Sequence, residues 1–283
     1  MQINFPSEIK SSKLGYEILI NIFNKCSILK NQYVYLNFRN VRFFEANLCS
    51  LLGAIFEVLI KNDCKFVIVE ASFKVEEVFS KNGFNLHYRG IPKTTDNFGT
   101  TVGYRTFDEN DSDDVFTGYV LEELLSKPNF PKMTGELSTR ILTNIFETYV
   151  NAITHGKCDF VHTCGQFFPS KGNKPLNFTV VDLGINMKEN VENYLGYDIS
   201  ATEAISWAMK RKNSTKNIPG GLGLSEILQF IKLNKGKFEI VSSNGYYRIL
   251  NDHIETYTLA EEFPGTIVNF MFNLSDNKSY SLK

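Results

Sequence analysis

The stretch FETYVNAITHG at residues 146–156 decides the fold, together with three shorter segments that follow it. These segments are VDLGIN at 181–186, GGLGL at 220–224 and PGTIVNF at 264–270. The first stretch puts an acid and an amide on one helix, and the second puts an acid and a glycine just after a strand. The third puts glycines before a helix, and the last opens a late strand with Gly-Thr. The order of the four is more informative than any one of them.

The first stretch belongs to a predicted helix from Met133 to His155, whose apolar stripe should pack on a sheet. Glu147, Asn151 and His155 follow one another at i, i+4 and i+8, so they share a neighbouring stripe. A Glu–Asn pair at this spacing normally lies on the solvated face of a helix. It also suits metal–phosphate chemistry, because an amide oxygen can ligate Mg²⁺ while a carboxylate deprotonates an attacking hydroxyl. His155, just before Gly156, fits a structural role at the helix C-terminus.

Asp182 follows an apolar strand predicted at residues 177–181 and precedes Gly184. A carboxylate at a strand end can accept a hydrogen bond from an exocyclic amine, such as that of adenine. Glycine beside it lets a flat base approach the backbone. Taken alone, Asp-x-Gly is a common turn.

The glycines Gly221 and Gly223, with Leu224, precede an amphipathic helix predicted at residues 224–232. Free backbone N–H groups at such a helix start can bind phosphate oxygens. The preceding basic segment, residues 210–217 with Lys216, suits a lid over phosphates, although such a loop usually only covers a surface. The sequence has no Gly-x-x-x-x-Gly-Lys-Ser/Thr, which argues against a P-loop site.

In this order the segments resemble the motifs of the GHKL ATPase domain, shared by gyrase, histidine kinases, mismatch-repair ATPases and anti-sigma factor serine kinases. The resemblance covers roughly residues 130–273 and is specific because four motifs occur in sequence. Residues 147–156 resemble the N box of this domain, most closely that of the anti-sigma kinases, and Asp182 with Gly184 resembles the G1 box. The segment with Gly221, Gly223 and Leu224 resembles the G2 box, and the one with Gly265, Thr266 and Phe270 resembles the closing strand.

The resemblance implies ATP and Mg²⁺ as cofactors and assigns roles to individual residues. Asn151 would bind Mg²⁺ and Glu147 would be the general base. Asp182 would recognise adenine, and Thr266 would support the adenine pocket. The other nucleotide-binding residues would be Gly184, Lys216, Gly221, Gly223 and Leu224. Asn186 replaces the second glycine that is usual in the G1 box, and asparagine tolerates a positive φ.

Residues 14–90 alternate helix and strand patterns, which predicts a small α/β layer with parallel pairing. Helices are predicted at 14–29, 44–60 and 74–82, and strands at 33–38 and 65–69, the latter as a central strand. This half resembles STAS domains, the fold of anti-sigma factor antagonists. Phosphorylated STAS domains have Asp-Ser-Ser-Gly where this chain has Glu-Ala-Asn-Leu at residues 45–48, so we expect no phosphorylation there.

We therefore predict a two-domain α/β (α+β) protein: a STAS-like domain over 1–95, a linker and connecting helix over 96–125, and a GHKL domain over 126–283. The GHKL domain should be a two-layer α/β sandwich with a mixed sheet. The acidic run at 108–114 is interpreted as a solvated linker, because it lacks the glycine and the glutamate of a calcium loop. Further helices are predicted at 116–125 and 200–210, and strands at 165–168, 238–242, 246–250 and 266–272.

The composition of the 283 residues is 43% hydrophobic with a formal net charge of -1, so no global field recruits nucleic acid or an acidic membrane. Residues 1–8 do not read as a secretory signal, and the apolar run 48–60 is too short to span a bilayer. Five irregularly spaced cysteines argue against a disulfide framework. A zinc site at His155, Cys158, His162 and Cys164 is the less favoured interpretation, since the spacing is not that of a zinc knuckle. The expected location is cytoplasmic.

The leading hypothesis is an ATP- and Mg²⁺-binding regulator in partner-switching-type signalling, acting as a slow ATPase or a serine/threonine kinase. Water and a protein hydroxyl use the same base, so the sequence leaves both reactions open. The alternative is a non-catalytic, ATP-dependent scaffold that binds a partner protein. The sequence does not identify the partner protein, and it leaves open whether the chain forms a homodimer. A histidine autokinase is disfavoured because His87 falls in a predicted loop, and a gyrase-like machine because no transducer domain follows the site.

Overall fold

The computed structural model describes residues 1–210 and 224–281, and within them the chain is a mixed α/β protein. The first half contains β1 (Gln2–Asn4), β2 (Glu8–Ile9), β3 (Tyr33–Asn37), β4 (Phe43–Phe44) and β5 (Lys65–Val69). In this part of the chain β1, β3 and β5 form a parallel sheet in that order, and β2 pairs with β4. The predicted parallel pairing is confirmed. The prediction that residues 65–69 form a central strand is wrong, because β3 takes the middle position.

The helices of the first half follow the predicted pattern with one addition. They are α1 (Lys13–Ser27), α2 (Cys49–Lys61), α3 (Phe73–Lys81) and α4 (Phe84–Arg89), and a 3-10 turn, Ala46–Leu48, precedes α2. Ser12 caps α1 by accepting a hydrogen bond from the Gly15 N–H. Gly83 has a φ of 85° and ends the preceding helix, but the chain then turns into α4 instead of the predicted loop.

The second half is built on an antiparallel sheet in the order β10-β11-β9-β8-β6, as far as the described residues show it. Its strands are β6 (Thr101–Phe107), β8 (Val161–Phe167), β9 (Pro175–Asp182), β10 (Lys237–Leu250) and β11 (His253–Asn273); β7 (Lys132–Met133) pairs in parallel with β12 (Ser279–Tyr280). The prediction of a mixed sheet is wrong for this sheet. All of its strand pairs run antiparallel, and two of them, β8–β9 and β10–β11, are hairpins. β6 lies within the predicted linker.

The helices of this half are α5 (Asp113–Tyr119), α6 (Gly135–Asn151), α7 (Met187–Leu195), α8 (Ala201–Ala208) and α9 (Ser225–Leu233). α5 continues into a π-helical turn at Val120–Leu125. The predicted helices are confirmed, and α7 was not predicted. Ser200 and Glu203 form a capping box that starts α8. In the part of the chain that the structure describes, no helix combines the length and the apolar character needed to cross a bilayer.

The antiparallel sheet is covered on both faces, and the side chains of its strands alternate between the two. Phe178 and Val180 of β9 face a core that includes residues of α6 and α9. Val181 of β9 and Ile267 of β11 face the opposite core, which also contains buried residues of α1 and α2. The first half of the chain therefore packs against one face of the sheet and shares a core with it.

Candidate functional site

Asp182, the last residue of β9, is enclosed by the backbones of three glycines that come from three of the predicted motifs. A Cβ atom added to Gly184 would lie 2.1 Å from the Gly156 carbonyl oxygen, and one added to Gly265 would lie 2.0 Å from the Asp182 carbonyl oxygen. A Cβ on Gly156 would lie 3.3 Å from Asp182 Oδ1. The first two approaches exclude any side chain. The end of the N-box-like segment, the acid turn and the Gly-Thr strand therefore meet at one carboxyl group.

The Asp182 carboxyl group is buried and is held by backbone donors. Its Oδ1 accepts a hydrogen bond of 2.9 Å from the Gly184 N–H. Burial raises the pKa of Asp182 to about 7, against the hydrogen bonds of the Gly184 and Thr266 N–H groups, which lower it. Loss of hydration disfavours the charged carboxylate, so a further donor from a ligand would stabilise it.

Thr266 and Ser242 continue from Asp182 across the sheet. Thr266 of β11 lies opposite Asp182 of β9, and Ser242 of β10 lies opposite Thr266. Directly opposed residues point to the same face of a sheet, so the three side chains form one row. Thr266 Oγ1 lies 3.0 Å from Ser242 Oγ. We call Asp182, Thr266 and Ser242 the site row.

Glu147 and Asn151 lie one turn apart on α6, and both side chains are partly exposed. After Asn151 the helix widens into a π-helical turn, Ala152–Gly156. Since a π turn closes i→i+5 bonds, His155 does not continue the stripe that the sequence predicted for it. The Ile185 N–H donates to the Gly156 carbonyl oxygen over 2.6 Å, which fastens the helix end to the turn after Asp182.

Asn144 joins α6 to the start of α9 and was not singled out from the sequence. Its Oδ1 accepts a 2.8 Å hydrogen bond from the N–H of Ile227, in the first turn of α9. Leu224, the residue flanking that helix start, is buried and has no side-chain oxygen to cap it, so Asn144 supplies a cap from another helix. Asn151 lies about 10 Å further along α6 at 1.5 Å per residue. It therefore stands between the start of α9 and the turn around Asp182.

The turn after Asp182 leads directly into α7. Asn186 has a φ of -72° and caps α7 by accepting from the Glu189 N–H, so it does not use the positive φ that asparagine tolerates. Asn190 Nδ2 donates to the carbonyl oxygens of His155 (3.3 Å) and Ile185 (3.2 Å). The signal for α7 was the spacing of Asn186 and Glu189, which is typical of a helix start.

The predicted site residues fall into three groups in the structure. Asp182, Gly184 and Thr266 lie together, and Glu147 and Asn151 lie on the helix that ends beside them. Leu224 lies at the start of α9. Lys216, Gly221 and Gly223, with the predicted lid, lie outside the described residues.

The cysteines and histidines of the zinc interpretation have other surroundings. His162 lies inside β8 with Nδ1 at 2.9 Å from the Tyr104 hydroxyl, and burial lowers its pKa to about 3. Cys158 and Cys164 are both buried. Across residues 1–210 and 224–281, no three or more His, Cys, Asp or Glu side chains are grouped to hold a metal. A Mg²⁺ ion held by one amide oxygen and by nucleotide phosphates needs no such group.

Comparisons with known proteins do not assign the chain to a family. No protein-family model matches it, and a search of curated proteins finds no match either. The functional proposal therefore rests on the residues around Asp182 and on the resemblance of the four motifs.

Proposed function

We propose that this protein binds ATP with Mg²⁺ in a GHKL-type site and acts as a regulatory slow ATPase or serine/threonine kinase. Adenine would lie against Asp182 and the glycine backbones around it. The phosphates would lie toward the start of α9, and Asn151 would hold Mg²⁺ between the two. We infer this arrangement of base, metal and phosphates from the course of α6. Its C-terminal turn contacts the residues after Asp182 through Gly156, and Asn144 near its middle contacts the start of α9.

The observation that carries the proposal is the approach of the Gly184 and Gly265 backbones to within distances that no Cβ atom permits. A sheet and a helix end pack this closely around a carboxyl group only when the chain has glycine at both positions. A buried carboxyl group with a raised pKa is costly for the free protein, which is typical of a group kept for a ligand. The exocyclic amine of adenine would supply a further donor to the carboxylate.

Glu147 gives the proposed site its chemistry. It lies one turn from Asn151, so a carboxylate and a metal-bound phosphate would face the same space. The carboxylate would orient the attacking hydroxyl and take its proton, while Mg²⁺ neutralises charge on the phosphates. Water as the nucleophile gives an ATPase and a protein hydroxyl gives a kinase.

The second candidate is a non-catalytic scaffold whose shape depends on ATP. Hydrogen bonds between the first and second halves of the chain favour this scaffold. Asn47 Nδ2 donates to Thr179 Oγ1 over 2.8 Å, and the Tyr16 hydroxyl donates to Glu239 Oε2 over 3.2 Å. These contacts attach the first half to strands that carry the site row. A scaffold of this kind needs ATP but no general base.

The test follows γ-labelled ATP with Mg²⁺ and the purified chain, alone and with cell lysate. We expect free phosphate or a labelled protein, with Glu147→Gln lowering the rate by about 100-fold or more while ATP still binds. Asn151→Ala should lose the Mg²⁺-dependent part of binding. Glu136→Gln, an exposed glutamate at the start of the same helix, is the matched control and should leave the rate unchanged.

The outcomes separate the candidates. ATP binding without any turnover, equal in the wild type and Glu147→Gln, supports the scaffold. If the wild-type chain binds no ATP at all, both candidates are wrong.

A further inference from the structure

Ser242 is a buried residue of β10 whose hydroxyl group meets three polar partners. It donates to the Gly265 carbonyl oxygen over 3.1 Å and accepts from the Met187 N–H over 2.9 Å. Its third partner is Thr266 Oγ1, at 3.0 Å. Ser242 thus touches the Gly-Thr strand and the first residue of α7 at once.

These contacts fix the direction of the hydrogen bond between Ser242 and Thr266. A serine hydroxyl has one proton to donate and two lone pairs that accept. Gly265 takes the proton and Met187 occupies one lone pair, so the remaining lone pair must accept from Thr266. The proton of the Thr266 hydroxyl then points at Ser242, and its lone pairs are left for the site. Thr266 offers the site an acceptor.

The site row therefore presents acceptors to a ligand at two neighbouring positions. The carboxylate of Asp182 accepts hydrogen bonds, and Thr266 opposite it accepts as well. A purine with an exocyclic amine donates to such a pair. A purine with a carbonyl oxygen at the same position places an acceptor against one member of the pair, and its ring N1–H can bond to only one acceptor. At least one buried acceptor then stays unpaired, which makes a site reject such an analogue strongly.

We propose that Ser242 is a specificity-determining residue that makes the base site select a 6-amino purine over a 6-oxo purine, by holding Thr266 as an acceptor. This inference rests on the proposed function. Ser242 acts through Thr266 and need not touch the base itself. Its bond to the Met187 N–H also holds the start of α7, whose Asn190 binds the carbonyl oxygen of His155.

The test compares binding of ATP and of inosine triphosphate, which carries an oxygen in place of the amine, to the full chain with Mg²⁺. The wild type should prefer ATP. Ser242→Ala should lower the preference by about tenfold, the worth of one oriented hydrogen bond, mostly through weaker ATP binding. Ser50→Ala is the matched control, since Ser50 is also buried with one bond to a carbonyl oxygen but lies in α2. It should leave the preference unchanged.

Thr266→Val keeps the shape of the strand residue and removes the hydroxyl, so it should lower the preference to a similar extent. In the Thr266→Val background, Ser242→Ala should have little further effect, because its partner is gone. If Ser242→Ala leaves the preference intact while Thr266→Val reduces it, the role of Ser242 is refuted. Equal binding of both nucleotides by the wild type refutes the inference but leaves nucleotide binding standing, and binding of neither refutes both.

Discussion

The same three strands carry two polar rows on opposite faces of the sheet, and the rows are built very differently. The site row is Asp182, Thr266 and Ser242. The second, which we call the docking row, is Thr179 on β9, Asn269 on β11 and Glu239 on β10, and its members are also direct cross-strand neighbours. Each docking residue is three positions from a site residue on the same strand, and an odd offset reverses the face.

The docking row has a buried carboxyl group whose bonding is complete. Glu239 accepts from the hydroxyl groups of Tyr16 and Tyr246, at 3.2 and 2.6 Å. It also accepts from Asn269 Nδ2 at 2.9 Å and pairs with Lys237 Nζ at 2.8 Å. Four side-chain donors make a buried charge tolerable, and one of them, Tyr16, comes from the first half of the chain.

Asp182 in the site row is bound by backbone N–H groups, and burial raises its pKa to about 7. Both carboxyl groups are almost inaccessible to water, at 1% exposure for Glu239 and 7% for Asp182. Burial alone therefore does not mark a functional carboxyl group. The donors differ: four side-chain donors hold Glu239 in the fold, while backbone N–H groups bind Asp182, which we propose as the group that binds a ligand.

The largest expected effect is on nucleotide affinity, measured by titration calorimetry with ATP and Mg²⁺. Asp182→Asn should weaken binding by about 100-fold, because the amide replaces a charged acceptor with a donor at the base. Glu239→Gln makes the same chemical change in the docking row and should alter the affinity of the folded protein by less than about threefold. Equal losses in the two variants would remove the distinction between the rows.

Stability should show the opposite order. Glu239→Gln should lower the free energy of unfolding by roughly 2 kcal/mol, because it removes the charge partner of the partly buried Lys237 ammonium and turns a donor toward other donors. The measurement is urea denaturation followed by circular dichroism. Asp182→Asn should cost less than Glu239→Gln at pH 8, where the wild-type carboxylate is itself unfavourable. A larger loss for Asp182→Asn would contradict the structural role given to Glu239.

The pH dependence of stability should identify Asp182 directly. Its pKa is raised from the ordinary 3.8 to about 7, so between these values the folded chain holds a proton that the unfolded chain has lost. The stabilisation is full below about pH 4 and decreases as the pH rises to about 7, with a slope near 1.4 kcal/mol per pH unit.

Subtracting the Asp182→Asn profile from the wild-type profile isolates this contribution, because the other titrating groups are common to both. Parallel profiles between pH 4 and 7 would show that the carboxyl group is ionised in the folded protein throughout that range.

The smallest expected effect concerns the attachment of the first half. Tyr16→Phe removes one donor to Glu239 and should lower the free energy of unfolding by about 1 kcal/mol, with ATP affinity unchanged. Tyr33→Phe is the control, since Tyr33 is 61% exposed and should be neutral. A loss of ATP affinity in Tyr16→Phe would mean that the two rows are coupled through the strands.

The sequence predicted the centre of the site better than its surroundings. Asp182 and Gly184 were singled out because their requirements are local: an acid after a strand, and glycine where backbones approach closely. Thr266 was singled out through the resemblance of the Gly-Thr strand to that of the GHKL domain. Their meeting followed from the order of the motifs. The assignment of bases and phosphates to these residues stays a prediction.

Ser242 and Asn144 could not be identified in this way. Ser242 reads as an ordinary strand residue, and its role depends on a cross-strand register with Thr266, 24 positions away. Asn144 gave a faint signal, a polar residue within the apolar stripe of α6. Its partner, the N–H of Ile227, lies 83 positions further along the chain.

At the level of the fold, most helices and strands were predicted, and so was the parallel pairing in the first half, but the pairing in the second half was not. Residues 96–125 read as a linker because glycines and acids interrupt their pattern, yet Thr101–Phe107 is an edge strand that pairs with β8. The direction of the strands in the second half was also misjudged, because strand pairing depends on residues that are distant in the chain.

The most direct test of the central claim is a crystal structure of the chain with Mg²⁺ and a non-hydrolysable ATP analogue. The account predicts that the adenine amine lies within hydrogen-bonding distance of the Asp182 carboxyl group, with Thr266 beside it and the docking row unchanged. Binding of the analogue elsewhere, with Asp182 and the three glycines untouched, would contradict the account.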